Sequence, residues 1–98
     1  MELEKKPVTW ETIEKGLGSI GKLKILRVML EKPEKTFTKY GLEKTTGLKP
    51  VNVRTDLQTL VKLKWVEEYP YKPRTYKINL KNRVIEHLSE FFRKVKYL

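Results

Sequence analysis

Apolar positions along the chain follow two periods. Spacings of three and four put side chains on one face of a helix. They mark Val8 to Leu17 (Trp10, Ile13, Leu17), about Ile20 to Glu31 (drawing on Leu23, Ile25, Leu26, Met29 and Leu30), a segment carrying Val53, Leu57 and Leu60, and Arg83 to Leu98. A shorter helix lies between the second and third of these, with Leu42 as its buried anchor. A period of two, with Tyr76, Ile78 and Leu80 separated by Lys77 and Asn79, predicts a half-buried strand over Thr75 to Leu80. Trp65 to Tyr69 is its hairpin partner across Pro70-Tyr71-Lys72-Pro73-Arg74, and Phe37 enters the core as a minimal strand. The predicted fold class is mostly α with a small β-hairpin, an α+β architecture.

Residues that start and stop helices punctuate this pattern. Ser19 is placed to cap the helix over Ile20 to Glu31, and Pro33 ends it, because the residue before a proline is pushed away from helical backbone. Thr38 caps the next helix, which closes at Thr46-Gly47, where glycine tolerates left-handed backbone. Lys49-Pro50 then opens a further helix, since proline at the first helical position loses no hydrogen bond. Asn82 caps the last one. Thr38 to Val66 therefore reads as two helices joined by a tight turn. The face of the second opposite Val53, Leu57 and Leu60 carries Lys49, Val51, Asn52, Arg54, Thr55 and Gln58.

The run TGLKPVNVRTDLQTLVKLKWVEE resembles the helix-turn-helix of archaeal and bacterial winged-helix transcriptional regulators. The residues that carry the likeness are Thr46, Gly47 and Leu48 in the turn, Val53, Leu57 and Leu60 facing the core, and Trp65-Val66 leading into a strand. With its flanking elements the resemblance covers roughly Ser19 to Leu80. Two positions depart from it. Lys64 stands where many relatives have a glycine closing the recognition helix, which predicts a less abrupt exit. Gly41 stands where relatives often have a capping-box glutamate, which weakens its helix. The expected organisation is one winged-helix domain over residues 1–98: a charged, flexible leader (1–7), helix-turn-helix (38–64) and wing (65–80) as the resemblance implies, and a C-terminal helix (82–98) read below as a dimerisation element. The extra N-terminal helix would pack against a partner subunit or the C-terminal helix, or simply cover the core.

Composition directs this reading towards a polyanion. The chain has 22 Lys+Arg against 12 Asp+Glu, a net charge of +10, of which residues 49–98 carry +7 with twelve basic and five acidic residues. Such an excess suits nucleic acid or an anionic membrane surface, although charge alone also serves solubility. Between Tyr69 and Arg83 lie Lys72, Arg74, Lys77, Lys81 and Arg83 and no acid. A hairpin tip stiffened by two prolines and this basic suits a phosphate backbone or a minor groove; the plainer alternative is a solvated basic hairpin. Zero cysteines exclude disulfides, thiolate catalysis and cysteine-based zinc sites. Without a secretory h-region or a membrane-length apolar run, a cytoplasmic location and no membrane partner are expected. Charged residues at 35%, mostly Lys and Glu, resemble thermophile usage. Ninety-eight residues leave no room for a catalytic domain plus a sensor domain.

Three features invite other chemistry. Gly16 to Lys22 contains a GxGxxG and most of a GxxxxGK phosphate loop, but Leu23 replaces the magnesium-holding Ser or Thr and the upstream residues read as helix. The glycines are better read as separating two helices. His87 is the only histidine and lies between Glu86 and Glu90 on a charged helix, without the partners a metal site or a catalytic base needs. Val84, Leu88, Phe91, Val95 and Leu98 repeat at coiled-coil seam spacing, with Ile85 and Phe92 as a second stripe. That is more apolar surface than a small domain is expected to cover, so a homodimer interface is assigned to Val84, Leu88, Phe91, Phe92 and Val95, with burial inside the monomer as the alternative.

The expected function is a homodimeric, sequence-specific double-stranded DNA-binding regulator of transcription, with no catalytic residues, metal or cofactor; the sequence names no effector ligand. Asn52 and Arg54 would address base edges in the major groove, with Val51, Thr55 and Gln58 beside them. Thr38, Lys39 and Lys49 would hold phosphates, and Lys72 and Arg74 would act from the hairpin. Asp56 opposes a purely electrostatic role unless it accepts from cytosine or pairs with Arg54 or Lys62. Two alternatives share these features: a sequence-neutral chromatin or replicon-maintenance protein, and a winged helix used for protein–protein interaction.

Overall fold

Among the described residues, each helix but one begins where a side chain takes up backbone N–H groups that the first turn leaves unpaired. A computed structural model describes residues 17–95, in the order α1 (Ile20–Glu31), α2 (Lys39–Thr46), α3 (Pro50–Lys62), β1 (Val66–Tyr69), β2 (Thr75–Ile78) and α4 (Arg83–Lys94). The Ser19 hydroxyl accepts from the Lys22 N–H at 3.3 Å, Thr38 from Gly41 at 3.0 Å, and the Asn82 carbonyl oxygen from Val84 and Ile85 at 2.9 and 3.2 Å. The exception is α3, whose N-cap Lys49 makes no side-chain cap bond and which starts on Pro50. The expected leader over residues 1–7, the N-terminal helix apart from Leu17, and Leu98 lie outside the described residues.

Packing follows from these starts. Helices α1, α2 and α3 contact one another, α3 contacts β1, and α1 contacts β2. Ile25, Leu26 and Met29 of α1, Leu42 of α2, and Val53 and Leu60 of α3 are fully enclosed. Ile85, Leu88 and Phe92 bring α4 onto the same core, and Trp65, just before β1, is buried in it. The hairpin pairs Val66 with Ile78 and Glu68 with Tyr76. Phe37 adds one further bridge, exchanging two 2.8 Å backbone hydrogen bonds with Tyr76, so the minimal strand expected there is present. The described residues thus form a mostly helical α+β fold.

Three local expectations change. The exit from α3 is as abrupt as a glycine would make it: Lys64 takes φ 64°, and the N–H groups of Lys64 and Trp65 donate back to the carbonyls of Val61 and Leu60, both at 3.0 Å. This is a Schellman closure with lysine in the left-handed position. Strand β2 stops at Ile78 instead of Leu80, because Asn79 turns the chain: its side-chain N–H donates to the Lys64 carbonyl at 2.8 Å and its side-chain oxygen accepts from Lys81. Leu80 consequently lies 46% exposed in a turn. Asp56 points inward, where it pairs with Lys22 Nζ at 3.5 Å and lies against Gly21, rather than facing outward beside Arg54 or Lys62. The suspected phosphate-loop residues are accounted for in the same way, with Ser19 as cap and Lys22 as the partner of Asp56.

Candidate nucleic-acid interface

Because Val53, Leu57 and Leu60 hold α3 to the core, its opposite side is presented to solvent. Val51, Asn52, Arg54, Thr55 and Gln58 are all exposed there, as is Lys49 just before the helix. The Thr55 hydroxyl donates to the Val51 carbonyl at 2.9 Å, which leaves it acceptor capacity towards a partner. Thr38 is half-buried, its oxygen accepting the capping bond, so its own hydroxyl proton remains available.

Beside this face, α3 and the hairpin enclose a cleft of about 470 Å³. Its floor is apolar, from Leu57 and Val61, and its polar rim comprises Lys39, Arg54, Gln58, Lys62, Glu68, Arg74 and Tyr76. Four cations therefore surround one carboxylate. That carboxylate is already engaged: Arg74 Nη1 lies 3.4 Å from Glu68 Oε2, and the Tyr76 hydroxyl donates to the same oxygen at 3.4 Å. Burial pushes the Tyr76 phenol above its ordinary value and the neighbouring Glu68 charge adds to this, against an opposing effect of Arg74. Tyr76 thus stays a proton donor.

The structure brings Lys39, Arg54, Gln58 and Arg74 of the expected contact residues to one cleft, while Lys72 is exposed near the hairpin tip and does not line it. Lys62, Glu68 and Tyr76 were not anticipated there. Lys62 was findable, since Arg54, Gln58 and Lys62 recur every four residues along one helix face. Glu68 and Tyr76 were not, because their meeting depends on strand register.

The residues assigned to a dimer interface divide. Leu88 and Phe92, at 9% and 3% exposure, belong to the chain's own core with Ile85, and Val84 is half-buried against it. Phe91 and Val95 stay outside at 58% and 54%. The apolar arc of α4 is therefore covered on one side and open on the other. His87 is exposed, with Nδ1 3.6 Å from Glu90. Among the described residues no group of His, Cys, Asp or Glu is arranged to hold a metal, and no helix is long and apolar enough to cross a membrane. Neither models of known protein families nor a search of curated proteins yields a match to this chain.

Proposed function

We propose that this chain is a sequence-specific double-stranded DNA-binding protein of winged-helix type that regulates transcription. In this reading α2 and α3 are the helix-turn-helix, β1–β2 is the wing, and α3 is the helix that enters the major groove. The observation that carries it is the adjacency of two surfaces of different chemistry. One is the exposed face with Asn52, Arg54 and Gln58, whose directional hydrogen bonds suit base edges. The other is the cleft lined by Lys39, Arg54, Lys62 and Arg74, whose charge suits a phosphate backbone passing between helix and hairpin. The inward Asp56 removes the one carboxylate that the sequence placed on this helix. Lys49, Thr38 and Lys72 would hold phosphates at the margins.

The same reading makes the protein a homodimer through the open side of α4, where Phe91 and Val95 await cover. A two-fold axis there would present two reading helices to grooves one turn apart, about 34 Å, and the preferred site would be an inverted repeat.

Selection from a pool of random duplexes tests the proposal. An enriched inverted repeat, bound with a log–log salt slope of about −0.9 per phosphate contact, is the expected result. Binding without enrichment supports the sequence-neutral alternative, and no binding supports the protein-interaction one. Arg54→Ala should cost roughly 1–3 kcal/mol of discrimination between the selected and random DNA if its guanidinium reads a base. Equal losses on both would assign Arg54 to phosphate.

A further inference from the structure

The cleft contains one residue that opposes the use proposed for it. Among the described residues Glu68 contributes the only carboxylate in a rim of four cations, and its Oε2 is the shared partner of the Arg74 guanidinium and the Tyr76 hydroxyl. Lys39, Arg54 and Lys62 on the facing wall meet no carboxylate among the described residues. The arrangement is set by the fold: Glu68 and Tyr76 are cross-strand partners, and Arg74, two residues before Tyr76, shares its face of the hairpin. Two groups that donate to one anionic oxygen are the groups that would donate to a non-bridging phosphate oxygen.

We propose that Glu68 is a stand-in for a backbone phosphate, occupying the anion position between Arg74 and Tyr76 in the free protein and thereby weakening the grip on DNA of every sequence. This rests on the DNA-binding reading and adds a residue that sets its strength. A phosphodiester entering the cleft must displace the carboxylate or lie beside it. Displacement exchanges one anion for another at Arg74, so little charge is neutralised; cohabitation sets like charges together. Either way Arg74 contributes less than an unpaired cation would. Because the contact involves no base, the effect is the same on selected and random DNA. Such a brake leaves the specificity ratio unchanged and loosens binding to every site alike.

Glu68→Gln keeps the shape and a hydrogen-bond acceptor for Tyr76 while removing the charge. Glu67→Gln changes the net charge by the same amount from the neighbouring position, where the carboxylate accepts from the Tyr69 hydroxyl at 3.0 Å on the other face of the strand. At about 0.1 M salt, Glu68→Gln should bind random duplex roughly fivefold more tightly, the size of one like-charge contact at about 4 Å in water. Its salt slope should steepen by about 0.9 and its discrimination ratio should stay unchanged. Glu67→Gln should change affinity much less, because its carboxylate does not line the cleft and is engaged by Tyr69 instead of Arg74. Arg74→Gln should cost more in the Glu68→Gln background than alone, because Arg74 is released there. A gain confined to Glu68→Gln together with that coupling supports the stand-in role. Equal gains in both variants, no gain at Glu68→Gln, or no coupling with Arg74 overturn it while wild-type binding, and with it the DNA-binding reading, stands. A wild-type chain that binds no duplex overturns both.

Discussion

Replacing Lys64 by glycine should make the protein more stable, although it deletes a side chain. At φ 64° the lysine Cβ is crowded against its own backbone, a conformation that costs a non-glycine residue about 1–2 kcal/mol and glycine almost nothing. Nothing else in the closure depends on the side chain. The two 3.0 Å bonds that end α3 are backbone to backbone, the 2.8 Å bond from the Asn79 side chain ends on the Lys64 carbonyl, and none uses the Lys64 side chain, so all survive the substitution. Against the relief stands the extra freedom of glycine in the unfolded chain, about 0.5–1 kcal/mol. The net expectation is a gain of about 0.5–1 kcal/mol, or about 2–8 °C in Tm for a domain of this size. Urea unfolding followed by circular dichroism reads it, provided the slope m is unchanged. Lys64→Ala is the control, because alanine carries the same Cβ and should leave stability nearly where it was. Equal effects of glycine and alanine, or a loss with glycine, would refute the strain argument and assign Lys64 a side-chain role.

Adjacent phenylalanines on α4 should behave oppositely: Phe92→Ala should cost about 3–5 kcal/mol in urea unfolding, whereas Phe91→Ala should leave monomer stability nearly unchanged and act only on self-association measured by sedimentation. Gly21→Ala should lack the stabilisation of about 1 kcal/mol usual for this change within a helix, because the new Cβ meets the Asp56 carboxylate; in an Asp56→Ala background that gain should return. Asn82→Ala should cost about 1 kcal/mol through loss of the double cap on α4, seen as a lower urea midpoint with no change in DNA affinity.

What could be read from the chain alone were the features governed by residues within one helical turn of each other. Ser19, Thr38, Asn82, Pro50 and Gly47 act on backbone groups a few positions away, so their roles as caps, start and stop hold in any fold containing those helices. Periodicity likewise identified the buried side of α3, and hence the exposed one that carries Asn52, Arg54 and Gln58. Tertiary structure decided the rest, because it decides which distant groups share a space. Asp56 turns inward only because Gly21 and Lys22 of α1 pass beside it, and no spacing within α3 records that. The alternation through Leu80 suggested a longer strand, but the turn at Asn79, tied to the Lys64 carbonyl fifteen residues earlier, ended it. At α4 the sequence shows how wide the apolar arc is, whereas how far neighbours cover it depends on the angle at which the helix meets the core, which left Phe92 inside and Phe91 outside. The cleft is the clearest case: Arg54 and Lys62 come from a helix, Glu68 and Tyr76 from a strand pairing, and Lys39 from a third element, so their common rim exists only once all three are packed.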